Sequence, residues 1–387
     1  MSDAAPLFST QEYLWRVTRL QDHMKTEQLD GLLLTTPADI FYVTGFLTRF
    51  WESPARPWFI LIPATGRPIA VIPSIGAALM GQSWLDDIRT WDAPDPTDDG
   101  VSLLVDAIAE TIPMKGSLGV PMGLETHLRM PLADFARVGN AIKPRNIVDG
   151  TTTVQRVREI KSETQIAKIR ATCEIADRVF ARVPEFAASG KPLDQVFRDF
   201  QIALLQEGAD WVSYVAGSAG QGGYGDVISP ATAQPLAKGD VLMLDTGAVK
   251  DGYFCDFDRN YSVGPPSSAV QRAQDALFMA TELALNTLRP GMTAADLYGI
   301  MTKALGAAGA TVGGGRFGHG LGITLTEWPS FTAKDTTPLR EGMVLTLEPG
   351  VEVSAGKFLV HEENIVLRAN GPELLSTRAP QTLPELG

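Results

Sequence analysis

Residues 241–264 read VLMLDTGAVKDGYFCDFDRNYSVG, and the rest of the chain is organised around them. Two apolar runs, 241–244 and 253–257, flank Lys250-Asp251-Gly252, the pattern of two antiparallel strands joined by a tight turn. Asp245 ends the first run and Asp256 sits inside the second. A carboxylate placed among apolar strand residues is costly unless it is protonated, paired with an arginine or bound to a cation. The stretch therefore asks for a partner.

Working outward towards the C-terminus, GMVLTLEPG (342–350) places Glu348 at the end of another apolar strand. FLVHEENIVL (358–367) buries at least one further acid in a fourth. Between these and the first pair lies GHGLG (318–322), where glycines on both sides of His319 let backbone crowd close to the ring and whatever it binds. Four carboxylates and one imidazole form a hard, oxygen-rich set with too much negative charge for one ion. Such a set suits two divalent cations sharing a bridging carboxylate.

The order Asp245, Asp256, His319, Glu348 and Glu362 resembles the metal-ligand series of the creatinase, prolidase and aminopeptidase P family. Residues 157–162, VREIKS, and the helical run 164–180 are similar to that family's entry into its catalytic domain. The resemblance implies an α+β protein. A pita-bread catalytic domain, a curved antiparallel sheet covered by helices, would occupy 151–387, after a smaller creatinase-type α/β domain at 1–150. It further implies a metallohydrolase of a peptide or peptide-like C–N bond of the Xaa-Pro type, with Glu348 both ligand and general base. Two cations would lower the pKa of a bridging water and polarise the scissile group, and a carboxylate beside that water is within proton-transfer reach. Manganese is placed ahead of zinc, cobalt and iron, all of which accept these donors.

Composition agrees with this class and excludes others. The chain has 387 residues, enough for two cores, with 44% hydrophobic and 20% charged side chains. A net charge of −12 argues against nucleic acid and anionic membranes as partners. Two cysteines, Cys173 and Cys255, suggest no disulfide framework and fit a reducing cytoplasm. MSDAAPLF lacks a basic segment followed by an apolar one, and no apolar run approaches a membrane span. The expected partners are a small molecule or short peptide and a second copy of the chain.

Along the chain, Ser9–Glu12 reads as a capping box opening an amphipathic helix, 32–35 as a buried strand, and 58–63 with 68–73 as a hairpin. His23 and His127 read as surface or packing residues. A largely helical run covers 154–183, closed by Pro184, and a second helix covers 193–206. The glycine-rich stretch 214–225 lacks the Gly-Lys-Ser/Thr of a phosphate loop and reads as an active-site loop, with Tyr224 counted among the substrate-binding residues. Helices are expected at 267–288 and 294–305. Asp258 is expected to pair with Arg259, and strand alternation turns His361 away from the face that carries Glu362.

Tract 48–58, TRFWESPARPW, concentrates guanidinium and aromatic groups in what reads as a loop. It is either a proline-stiffened loop packed on Trp51 and Trp58 or a binding loop in which Arg49 and Arg56 take a carboxylate and Trp51 a cationic or apolar end. In dimeric members of the resembled family the N-terminal domain lends residues to the neighbouring active site, and this tract looks like that segment. Three outer positions depart from the peptidase pattern. Thr326 stands where a second histidine is expected before Glu327, residues 226–234 contain no histidine, and Val360 replaces an arginine. Thr326 and Glu327 are counted with Glu348 as the catalytic set. Because the 327–329 tract, Glu-Trp-Pro, resembles the dimethylsulfoniopropionate lyase branch, a lyase or small-zwitterion hydrolase is the alternative, and a non-catalytic binding protein the third reading.

Overall fold

The computed structural model describes residues 7–52 and 56–387, and the chain divides into two compact units, one closing at Arg158 and the other running Glu159–Gly387. In the first, helix α1 (Thr10–Thr26) starts at Ser9, whose hydroxyl accepts from the Glu12 N–H at 3.2 Å. Six strands follow: β1 (Gly31–Leu34), β2 (Phe59–Pro63), β3 (Ile69–Pro73), β4 (Asp87–Trp91), β5 (Ser117–Val120) and β6 (Asn146–Asp149). They form one sheet in the order β4-β3-β2-β1-β5-β6, antiparallel through β1–β2–β3 and parallel at both flanks. The apolar runs of β1, β2 and β3 are buried along their whole length, as interior strands with both faces covered require. Helices α2 (Pro37–Thr44), α3 (Ala77–Met80), α4 (Val101–Thr111), α5 (Leu132–Ala141) and α6 (Thr151–Arg158) complete this unit. Leu104 and Ile108 of α4 join Leu33, Phe59, Val71 and Leu118 in its core.

The second unit does not continue α6 as one helical run. At Ile160 the chain pairs with Met343 and Lys161 N–H donates to Gly342 O at 2.9 Å, so backbone bonding is spent on a bridge. Ser162 then opens α7 (Glu163–Phe186) with a full capping box to Gln165. Pro184, expected to close this helix, lies inside it. The Phe180 carbonyl, which loses its i+4 donor to the proline, is taken instead by the Tyr261 hydroxyl at 2.7 Å. Helix α8 (Leu193–Gln206) follows, and α9 (Ser268–Thr287) and α10 (Ala294–Ala307) bury Leu277, Ala280, Leu297 and Met301 against the sheets.

Strand β7 (Trp211–Gln221) occupies most of the glycine-rich stretch expected to be a loop, because its backbone finds a full partner in β8 (Asp240–Lys250). β8 is the spine of the first sheet. A turn at Asp251 (φ 51°) and Gly252 (φ 79°) returns the chain through β9 (Tyr253–Phe254) and β10 (Phe257–Val263), both antiparallel to β8. Positive φ at both central residues fits the twist of the flanking strands. β11 (Thr311–Val312), β12 (His319–Gly320), β13 (Glu327–Ser330), β14 (Val344–Leu347), β15 (Gly350–Ser354), β16 (Lys357–Val360), β17 (Glu363–Arg368), β18 (Gly371–Leu374) and β19 (Glu385–Leu386) complete the set. The sheets run β19-β10-β8-β7, with β9 on β8, then β13-β12-β14-β17-β18 and β11-β15-β16. Mixed sheets with helices packed on them make the chain α+β, and no helix among the described residues is long and apolar enough to cross a membrane.

Candidate metal centre

Asp256 lies where the returning strand leaves the ladder, between β9 and β10. Its backbone is held by Asn364 of the other sheet, whose Oδ1 accepts from Asp256 N–H at 3.0 Å while its Nδ2 donates to Asp256 O. This one amide replaces the missing strand pairing and carries the Asp256 carboxylate towards β17. In the second sheet Leu347 is opposite Glu363, so Glu348, just beyond β14, comes beside Glu362, just before β17. His319 reaches the same place from β12, its N–H donating to Thr346 Oγ1 at 3.0 Å. Glycine is required on both sides of it. A Cβ at Gly318 (φ +142°) would stand 2.3 Å from Thr346 O, and one at Gly320 2.3 Å from Trp328 O.

The five side chains converge. One oxygen each from Asp245, Asp256 and Glu362 lies within 4.8 Å of the others, and His319 Nε2 is 3.1 Å from Asp256 Oδ2 and 3.8 Å from Glu348 Oε2. Burial pushes the carboxyls of Asp245 and Glu362 well above the usual carboxylate range, and their acidic neighbours push them further. The Tyr214 hydroxyl, raised by burial and then by Asp245, sits 3.2 Å from both Asp245 oxygens and 2.5 Å from Asp256 Oδ1. Glu362 Oε2 is buried without a hydrogen-bond partner among the described residues. His319 Nδ1 is 2.7 Å from Gly320 O, a contact that only an N–H can make favourable, which leaves the Nε2 lone pair of a neutral ring facing carboxylate oxygens. Burial lowers the ring's basicity while Asp256 and Glu348 raise it, with a net rise. Acceptors aimed at acceptors, with one oxygen unpartnered, fit a site for cations.

The remaining expected site residues each have neighbours of their own. Glu327 is buried against Lys161, whose Nζ is 3.0 Å from its Oε2, and accepts the Ile323 N–H at 3.0 Å. Thr326 Oγ1 accepts from Arg316 Nη2 at 3.3 Å, and Arg316 Nε pairs with Glu348 Oε1 at 3.1 Å. Tyr224 is wholly buried, its hydroxyl accepting the Val360 N–H at 2.6 Å, so it is a packing residue with no face for a substrate. In the first unit Trp51 packs against Phe46 and Trp58, with ring centroids at 6.2 and 5.3 Å. Arg129 lies over its ring at 5.1 Å and donates to Trp51 O and Arg56 O. Arg49 is exposed, and residues 53–55 of this tract lie outside the described residues.

Asp258 is not the partner of Arg259. Arg259 donates to Asp258 O and Glu362 O and pairs with Glu363 Oε2 at 3.1 Å, and its guanidinium lies over the Phe257 ring. Burial pushes the Asp258 carboxyl up to about 8 against the pull of Arg259. His361 faces Arg378 at 2.6 Å and Glu363 at 3.4 Å. The sequence reading missed Tyr214, Asn364 and Arg316. Tyr214 sits where β7 slips register between Val212 and Val215, Asn364 acts through a contact 108 residues distant, and neither carries a local signal. Arg316, three residues before His319, was in plain view.

Residues 167–369 match the model of metallopeptidase family M24 and 16–160 that of the creatinase/prolidase N-terminal domain. The chain belongs to metallopeptidase family M24. It is a metallohydrolase with the pita-bread catalytic domain, and membership implies divalent metal ions. Among its relatives, a probable dipeptidase PepE of Mycobacterium tuberculosis is 30% identical over 343 residues, 88% of this chain and 87% of that one. The Xaa-Pro dipeptidase of Pyrococcus horikoshii is 25% identical, over 93% and 96%. In structure, dipeptidase PepE of Mycobacterium ulcerans superposes with a TM-score of 0.84 at 28% identity, covering 98% of this chain and 99% of that one. The prolidase of Thermococcus sibiricus gives 0.86 at 25%, covering 98% and 100%.

Proposed function

We propose that this chain is a dinuclear-metal dipeptidase that hydrolyses the C–N bond of short peptides, Xaa-Pro substrates among them. The observation that carries the reading is the convergence of Asp245, Asp256, His319, Glu348 and Glu362 on one spot rich in acceptors, with the buried Glu362 Oε2 atom unpartnered among the described residues. These five residues would hold two divalent ions, manganese first among the candidates, with zinc, cobalt and iron accepted by the same donors. When bound, the ions supply Lewis acidity and a water acidified to near neutrality. Glu348 would accept a proton from the attacking water and return it to the leaving nitrogen. Arg316 holds the Glu348 carboxylate from the side opposite His319, which keeps one oxygen turned to the centre. With Thr326 in place of a histidine, the Arg316–Thr326 pair is the cationic, hydrogen-bonding group nearest to Glu348 on which a peptide carboxylate can settle.

A lyase would need a base beside the substrate. Glu327 is already committed to Lys161 and two backbone donors, which favours the peptidase reading. We further propose a cytoplasmic homodimer in which Arg49, Trp51 and Arg56 complete the neighbour's site. The direct test of the activity is to strip the protein with a chelator, reload it with each metal and screen a panel of dipeptides. Turnover of Xaa-Pro or other dipeptides that disappears on stripping and returns with two ions per chain is the expected result. A fully active stripped protein, or a loaded one that turns over no dipeptide, would sink the proposal.

A further inference from the structure

Gln165, Lys168, Thr172 and Cys173 recur at helical spacing and so share one face of α7. That face lies along the segment that leads to Asp256. Lys168 Nζ is 2.8 Å from Asp251 Oδ2, and Gln165 Nε2 donates to the Tyr253 hydroxyl at 3.2 Å. The Thr172 hydroxyl shares its proton between Lys168 O at 3.0 Å and Tyr253 O at 3.3 Å. Cys173 reaches past this segment to the group that holds its end. Its Sγ donates to Asn364 Oδ1 at 3.4 Å, the same oxygen that accepts the Asp256 N–H at 3.0 Å.

The thiol matters because both backbone groups of Asp256 rest on that one amide. The χ2 torsion of an asparagine is soft, so its amide keeps a single orientation only where several partners hold it. Asp256 supplies two partners from one side, and Cys173 supplies a third from the helix. An amide oxygen accepts two hydrogen bonds, and the Asp256 N–H and the thiol S–H fill both. Cys173 is fully buried, so bulk water does not compete for its place on the amide, and burial raises the thiol so that it stays protonated and remains a donor. We propose that Cys173 is a positioning residue for the metal centre, its S–H fixing the Asn364 amide and, through it, the backbone that presents the Asp256 carboxylate. The inference rests on the metal-centre reading above. It adds that α7, a helix that supplies none of the five ligands, sets the affinity of the site.

The test is calorimetric titration of manganese into the metal-stripped full chain and its variants. Cys173→Val fills the buried place with a small apolar side chain and removes the donor. It is expected to weaken manganese binding roughly 3–10-fold, the worth of one net hydrogen bond. On an Asn364→Leu background the same change should have no further effect, because the amide through which Cys173 acts is gone, whereas a general loosening of the fold would add to the loss. Asn364→Ala closes the same cycle should the leucine variant not fold. Affinity of Cys173→Val within twofold of the wild type, or an equal loss on both backgrounds, would overturn the inference. A wild type that takes up no manganese, zinc, cobalt or iron would instead overturn the metal centre and this inference with it, so the two failures are told apart.

Discussion

Glu348 and His361 look alike in the sequence, as polar residues next to a strand that carries ligands, and the structure separates them. Glu348 Oε2 is 3.8 Å from His319 Nε2, whereas His361 is turned to Glu363 and Arg378. Glu348→Gln should therefore lower turnover by roughly 10²–10⁴ with much of the metal retained, the range for losing a positioned acid–base group. His361→Ala should keep turnover within about tenfold and lose thermal stability, since it opens a buried contact. A kinetic comparison at matched metal content decides between them, and equal losses in the two variants would remove Glu348 from proton transfer. At Gly318 the outcome is set by space alone. Gly318→Ala adds a Cβ where a backbone oxygen already stands, at a φ that L-residues avoid, and should lower both Tm and metal content.

Between elements, the decisive contact is Asn364 of β17 on both backbone groups of Asp256. Asn364→Leu keeps the branched shape and removes both bonds, so the segment before β10 loses its anchor to the second sheet. Metal affinity is expected to fall about 10–100-fold, the usual effect of losing a group that orients a ligand, with the five ligands themselves intact. Metal titration by calorimetry measures it, and unchanged affinity would show that β8 alone positions Asp256. A second element-scale prediction concerns α7. Tyr261→Phe leaves the Phe180 carbonyl with no donor in a buried place and should cost about 1–3 kcal/mol of unfolding free energy, without effect on metal content.

Over the whole molecule, two properties are testable without substrate knowledge. Cys173 and Cys255 are free and fully buried, and burial raises both thiols far above their ordinary range, so neither should react with a thiol reagent until the protein unfolds. Labelling of the native protein at the rate of an exposed thiol would contradict this. The proposed dimer is tested by mixing two inactive variants, Trp51→Ala and Glu348→Ala. If tract 49–58 serves the neighbouring chain, mixed dimers hold one intact site and recover up to about half the wild-type activity. No recovery after verified subunit exchange would confine the tract to packing its own unit, the role that Arg129 and the Phe46–Trp51–Trp58 cluster already support.

The α+β architecture and the turn at 250–252 were legible in the chain itself, because apolar periodicity and turn chemistry are local and glycine at a positive φ leaves a readable mark. The order of four acids and one histidine was legible for a related reason: carboxylates in apolar strands demand a partner wherever the strands go. What neighbours each group was decided only in three dimensions. Arg259 took Glu363 rather than the Asp258 carboxyl because Glu362 O, Thr377 O and Glu363 Oε2, all distant in sequence, surround its guanidinium. Pro184 did not end α7, since a tyrosine 77 residues later supplies the missing donor. Tyr224 was removed from any substrate by the strand that closes over it, and Asn364 became the anchor of Asp256 through a contact between two sheets. Hydrogen-bond satisfaction of a buried group is a property of whichever segments pack around it, and no local window of sequence contains them.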